Sequence, residues 1–147
     1  MQLIGKIQGM GMAVFWAALF PATLVFAGTT EYTCTINQTY QLKEIGVLEA
    51  PSEENREKIP PRQTFTISRE TGMITGKGSE LDTVHAKSTV VIHKGSPESS
   101  FVAVADFGET KSGTRAYRMI KIEEYKKGSE KPFVAMRDLD IATGTCR

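Results

Sequence analysis

The chain holds two cysteines, Cys34 and Cys146, the second one residue from the end. If they pair, their Cα atoms lie within about 7 Å, so the fold must set segments more than a hundred residues apart side by side. Closing a loop of that length stabilises by about 4–5 kcal/mol in the chain-entropy picture. Pairing requires a compartment outside the reducing cytosol. The rival reading, a reactive or metal-binding thiol pair, finds no partner residue near either cysteine in sequence.

The compartment is read from the N-terminal segment. Met1 to Gln8 carries Lys6, Gly9 to Phe26 is apolar except for Thr23, and Val25-Phe26-Ala27 places small residues at the minus-three and minus-one positions. That order is the n-region, h-region and cleavage site of a signal peptide. An uncleaved anchor is the rival, since about 18 apolar residues also approach the length of a membrane span; Pro21 favours cleavage by interrupting the helix. Residues 1–27 are therefore expected to be a leader, and residues 28–147 one exported domain, periplasmic or secreted. All 17 acidic residues and all basic residues but Lys6 lie in the second part, which is formally neutral. A nucleic-acid partner is disfavoured, and the membrane is met only through the leader.

Residues 28–147 contain 16 Ile plus Val and 15 Thr against four Leu, a composition suited to pleated sheets. In Tyr32 to Leu42 the alternation puts Tyr32, Cys34, Ile36, Tyr40 and Leu42 on one expected face, and Thr33, Thr35, Asn37, Thr39 and Gln41 on the other. Further strands are expected at Thr64 to Arg69, Met73 to Lys77, Lys87 to Lys94, Ser100 to Phe107, Thr114 to Tyr125, Pro132 to Arg137 and Leu139 to Cys146. Eight antiparallel strands in a meander, with the first drawn beside the last by the cysteines, predict an all-β fold: a closed or nearly closed small barrel of calycin-like architecture. A β-sandwich bridged between its sheets is the alternative. The stretch 46–62, with Pro51, Pro60, Pro61 and the run Glu53-Glu54-Asn55-Arg56-Glu57-Lys58, is expected to be a long loop in which Ser52 caps a helical turn. Glu53, Glu54 and Arg56 are its candidate partner contacts over one barrel end.

The chemistry-bearing residues do not converge. His85 and His93 are the only imidazoles, and with Asp82 they show none of the spacings of a zinc site; no metal or cofactor is expected. The serines cluster in turns such as Ser96-Pro97-Glu98-Ser99-Ser100, without a nucleophile elbow. Glu123 and Glu124, taken as strand neighbours, point to opposite faces and are no catalytic dyad. Gly76-Lys77-Gly78-Ser79 lacks the spacing and following helix of a phosphate loop. Lys111 to Lys131 carries seven basic residues, divided by parity: Arg115, Tyr117, Met119 and Lys121 on one face, Arg118, Ile120 and Ile122 on the other. Asn37-Gln38-Thr39 is a glycosylation sequon, relevant only in a eukaryotic source.

These readings favour a non-catalytic binding module for a small molecule or another exported protein over an enzyme. The calycin likeness is one of architecture, since the Gly-x-Trp element of lipocalins is absent and residues 28–147 contain no Trp. Tyr32-Thr33-Cys34, Ser112-Gly113 ahead of Tyr117, and Cys146 are similar to landmarks of the bacterial c-type lysozyme inhibitors. The likeness covers a few positions, this chain is longer, and its 46–62 segment has no counterpart there. It implies an inhibitor of a secreted or host hydrolase, with Ser112 and a neighbouring base, Arg115 or Lys111, entering an acidic cleft.

Overall fold

The computed structural model describes residues 29–51, 62–76, 79 and 81–147. Its strands are β1 (Glu31–Leu42), β2 (Leu48–Glu49), β3 (Thr64–Ser68), β4 (Ile74–Thr75), β5 (Ser88–Ser96), β6 (Ser99–Glu109), β7 (Arg115–Ile122), β8 (Lys131–Arg137) and β9 (Asp140–Cys146), and the described residues contain no helix. They form one antiparallel sheet in the order β4-β3-β1-β9-β8-β7-β6-β5, with β2 paired to β1. The eight-stranded path curls through 267° into a half-barrel. A single continuous sheet excludes the sandwich alternative.

The cysteines do what their spacing demands. Cys34 and Cys146 are directly opposite in the β1–β9 ladder, bonded, 4.0 Å apart at Cα and buried. The first long strand therefore pairs with the last, as expected, yet that pair is internal to the sheet. The edges are β4 and β5, so the barrel's seam lies between them. The seam is filled by residues that follow β4: Leu81 and Thr83 are buried, and the Thr83 amide donates to the Ile74 carbonyl at 2.9 Å.

The inner wall is built in three rows that run across the strands. The first is Phe101, Ile122, Phe133, Gly144 and Ile36; the second is Ala103, Ile120, Ala135, Ala142 and Thr39; the third is Ala105, Arg118, Arg137, Asp140 and Gln41. Large apolar side chains fill the first row, and Phe133 meets Phe65 edge-on at 5.5 Å. The second is small apart from Ile120, and the third is polar apart from Ala105. Alternation of large and small residues is how a narrow barrel fills without voids. It also leaves one end of the barrel, where β1 and β6 finish and β7 and β9 begin, with an ionic inner wall. We call this the polar end, and the other, where β1 begins, the apolar end.

Three expectations need correction. The alternation in β1 does not run unbroken: a bulge between Ile36 and Gln38 reverses the parity, because one extra residue shifts every later side chain to the other face. Thr39 then joins the inner row opposite Ala142, and Tyr40 pairs with Ile141 on the outer face; Tyr40 and Leu42 thus do not share the face of Cys34 and Ile36. The expected strand Thr114 to Tyr125 is the shorter β7, ending before Glu123. The expected loop 46–62 contains β2, which extends the β1 hairpin through Gln41↔Glu49 and Leu42↔Leu48. Residues 1–27, Ser52, Glu53, Glu54 and Arg56 lie outside the described residues.

Candidate functional site at the polar end of the barrel

The polar end is framed by three connections: Lys43 to Val47 between β1 and β2, Thr110 to Thr114 between β6 and β7, and Asp138-Leu139 between β8 and β9. The β6–β7 turn is tight and self-supporting. The Thr110 amide donates to the Thr114 carbonyl at 2.7 Å, and the Gly113 amide to the Thr110 carbonyl at 3.0 Å. Gly113 has φ +78°, the left-handed conformation that glycine adopts without a Cβ penalty. Three hydroxyls meet on the turn: Thr110 with Ser112 at 2.8 Å, Thr110 with Thr114 at 2.8 Å, and Ser112 with Thr114 at 3.1 Å. Lys111, Ser112 and Gly113 are all exposed. The sequence-selected Ser112 thus stands at the tip of an ordered turn.

Arg115 is placed differently from its expected role. Its Nη2 donates to Asp106 Oδ2 at 2.7 Å, and the cation lies 5.8 Å from the Tyr117 ring centroid on the outer face. The Asp106 carboxyl, also accepting the Gly108 amide at 2.7 Å, sits below the usual carboxylate range because of the Arg115 bond first and that amide second. The guanidinium rises correspondingly. Arg115 is therefore engaged within the domain, and Lys111 is the base left at the tip beside Ser112.

Inside the mouth, Arg118 and Arg137 are direct cross-strand neighbours, and Arg137 is paired in turn with Asp140. Like charges placed opposite one another oppose pairing, so their carboxylate surroundings matter. The Arg118 guanidinium lies 4.3 Å from the Phe107 ring centroid, within cation–π range. Burial lowers its pKa, while Asp82 and Asp138 pull the other way and favour the cation. Two open clefts flank the mouth. One, of about 620 Å³, is bordered by Gln41, Leu42, Lys43, Glu44, Gly46 and Leu139; the other, of about 320 Å³, by Arg115, Tyr117, Met119, Met136 and Asp138.

The remaining candidates are dispersed. His85 lies in the turn ahead of β5 and His93 on its outer side opposite Val102, both exposed. Among the described residues no three of His, Cys, Asp and Glu are grouped to hold a metal ion. Glu123 and Glu124 diverge just beyond β7: Glu123 accepts from Ser100 at 2.7 Å and pairs with Lys121 at 2.8 Å, whereas Glu124 turns toward Tyr32 and Arg69. Parity correctly separated Arg115, Tyr117, Met119 and Lys121 from Arg118, Ile120 and Ile122. Arg137, the last residue of the expected strand Pro132 to Arg137, is the inward-facing arginine that the parity argument did not single out. The pointer available was its position two residues beyond the inward Ala135. No protein-family model matches the chain, and no characterised protein or solved structure shows significant similarity to it.

Proposed function

We propose that this is an exported, non-catalytic binding module that grips another exported protein at the polar end of its barrel. The observation that carries this reading is the ordered, hydroxyl-lined turn Thr110 to Thr114, exposed beside a mouth whose inner wall has become ionic. A turn that keeps its own hydrogen bonds loses little conformational freedom on docking. A carrier of an apolar small molecule fits less well, because the first two inner rows fill the interior with their own side chains. An enzyme fits less well again, since Ser112 is engaged in the hydroxyl cluster of the turn and Asp106 in its ion pair with Arg115, with no base positioned on the serine.

Within this reading, an inhibitor of a hydrolase with an acidic cleft is favoured by the exposure of Ser112 next to the cationic Lys111 at the tip. Arg115 serves there by holding the base of the turn through Asp106. The test is binding and inhibition against a panel of c-type lysozymes, using the oxidised protein. Ser112→Ala and Lys111→Glu are expected to weaken the interaction by tenfold or more, roughly the loss of one good polar contact in a buried interface, with the fold unchanged. A partner whose binding is indifferent to both substitutions would move the contact away from this turn, and inactivity against every lysozyme would remove the inhibitor reading.

A further inference from the structure

The opposite, apolar end holds a cluster that the binding reading does not use. The sheet edges β4 and β5 face each other across the seam, and among the described residues no backbone hydrogen bond joins these two strands. The tie across the seam is made by side chains. Arg69, which follows β3, pairs with Glu124, which follows β7, at 2.8 Å. Arg69 also donates to the Lys94 carbonyl at 3.4 Å and lies 4.8 Å from the centroid of the Tyr32 ring. The Tyr32 hydroxyl donates to the same Glu124 carboxylate. Glu124 keeps 10 % of its side-chain exposure and Arg69 28 %, so the pair is partly removed from water and from screening by salt.

The rest of the sheet is tied in another way. From β5 through β9 to β1 each junction is a ladder of five to eight paired residues, and the disulfide pins β1 to β9. The β3–β4 hairpin has five pairs to β1 and two of its own. Its turn rests against the far side of the seam at Gly72, where an added Cβ would come within 2.8 Å of Ala103 and 3.3 Å of Val91. Proteins open in cooperative units, and of the elements at the two sheet edges this hairpin is joined to its neighbour by five ladder pairs, β5 by seven.

We propose that the β3–β4 hairpin is a flap that opens as a unit, with Arg69, Glu124 and Tyr32 as its latch. Opening lifts Phe65, Ile67 and Ile74 off the inner wall while the β5-to-β1 meander stays intact. The inference concerns the apolar end and stands independently of the partner proposed at the polar end.

The test is native-state amide hydrogen exchange on the full oxidised domain, compared among wild type, Glu124→Gln and Tyr32→Phe. In Glu124→Gln, amides of residues 64–76 are expected to exchange about tenfold faster, with those of β7 and β8 changing by less than about twofold, the pattern of a local opening. Tyr32→Phe, which keeps the ring under Arg69, should raise the same amides by a smaller factor, and it serves as the test if Glu124→Gln does not fold. Equal acceleration in every strand, or no acceleration in residues 64–76, would overturn the flap.

Discussion

Gly144 shows how a single position holds the inner wall together. It lies in the first row among large side chains, and a methyl there would overlap the Thr35 carbonyl oxygen and approach a Phe133 ring carbon to 2.7 Å. Gly144→Ala should therefore destabilise by about 3 kcal/mol, the upper range for overpacking against backbone. Gly113→Ala meets nothing within 4 Å but has φ +78°, and should cost only about 1 kcal/mol for the left-handed conformation. Denaturant titration of the two variants separates steric from conformational need. Tyr32 gives a second residue-level prediction. Burial first, and then its bond to Glu124, hold the phenol well above its ordinary range. A raised folded-state pKa adds stability that is present below the unfolded value, about 10, and is lost as pH rises toward the folded one. Tyr32→Phe should lose less stability than wild type between pH 8 and pH 11, measured as a shift in denaturation midpoint. That Tyr32 needed a partner was readable, because a tyrosine on a dry strand face has a hydroxyl to satisfy. That the partner would be Glu124, 92 residues away, was not: only the curl of the sheet brings them together.

At the scale of the strand, the bulge in β1 decides which side chains build the core. Ile36 is fully buried, whereas Tyr40, past the bulge, faces out opposite Ile141. Ile36→Thr should cost about 3 kcal/mol, while Tyr40→Thr should cost under about 1 kcal/mol; uninterrupted alternation predicts similar losses for both. Equilibrium unfolding of the pair is the check. Protonation acts on stability at the outer edge of β7 as well. Glu123 is held below the usual carboxylate range by Lys121 first and Ser100 second, and Asp106 by Arg115 and the Gly108 amide. Depressed folded-state values add stability above the unfolded pKa, about 4, which is lost as pH falls through the folded values. The fall in stability from pH 6 to pH 3 should be shallower in Lys121→Met than in wild type. Strand existence was legible throughout, because Ile, Val and Thr alternate between glycine-marked turns. The short β4 falls within the expected strand Met73 to Lys77; the bulges and the two-residue β2 were not legible, since one inserted residue leaves no compositional trace and two residues carry no period.

At the scale of the molecule, topology rests on one covalent fact and one open junction. The pairing of Cys34 with Cys146 was deducible from their positions once an oxidising compartment was inferred, and it correctly brought β1 beside β9. Taking that junction as the closure of the barrel was the misreading. The long connection between β1 and β3 lets the β3–β4 hairpin add outside β1, so the seam moves to β4 and β5. The polar end was legible only in part: Ser112 was named from the sequence, but Arg137 and Asp140 become a lining only when five strands are in register. The whole arrangement depends on this crosslink. Its most direct test is denaturant unfolding of the domain, oxidised against fully reduced, with thiols quantified in the folded state. With the cysteines 112 positions apart in sequence, the oxidised form should contain no free thiol and exceed the reduced one by up to about 5 kcal/mol. Two titratable thiols in the folded, air-exposed protein, or equal stabilities of the two forms, would contradict it.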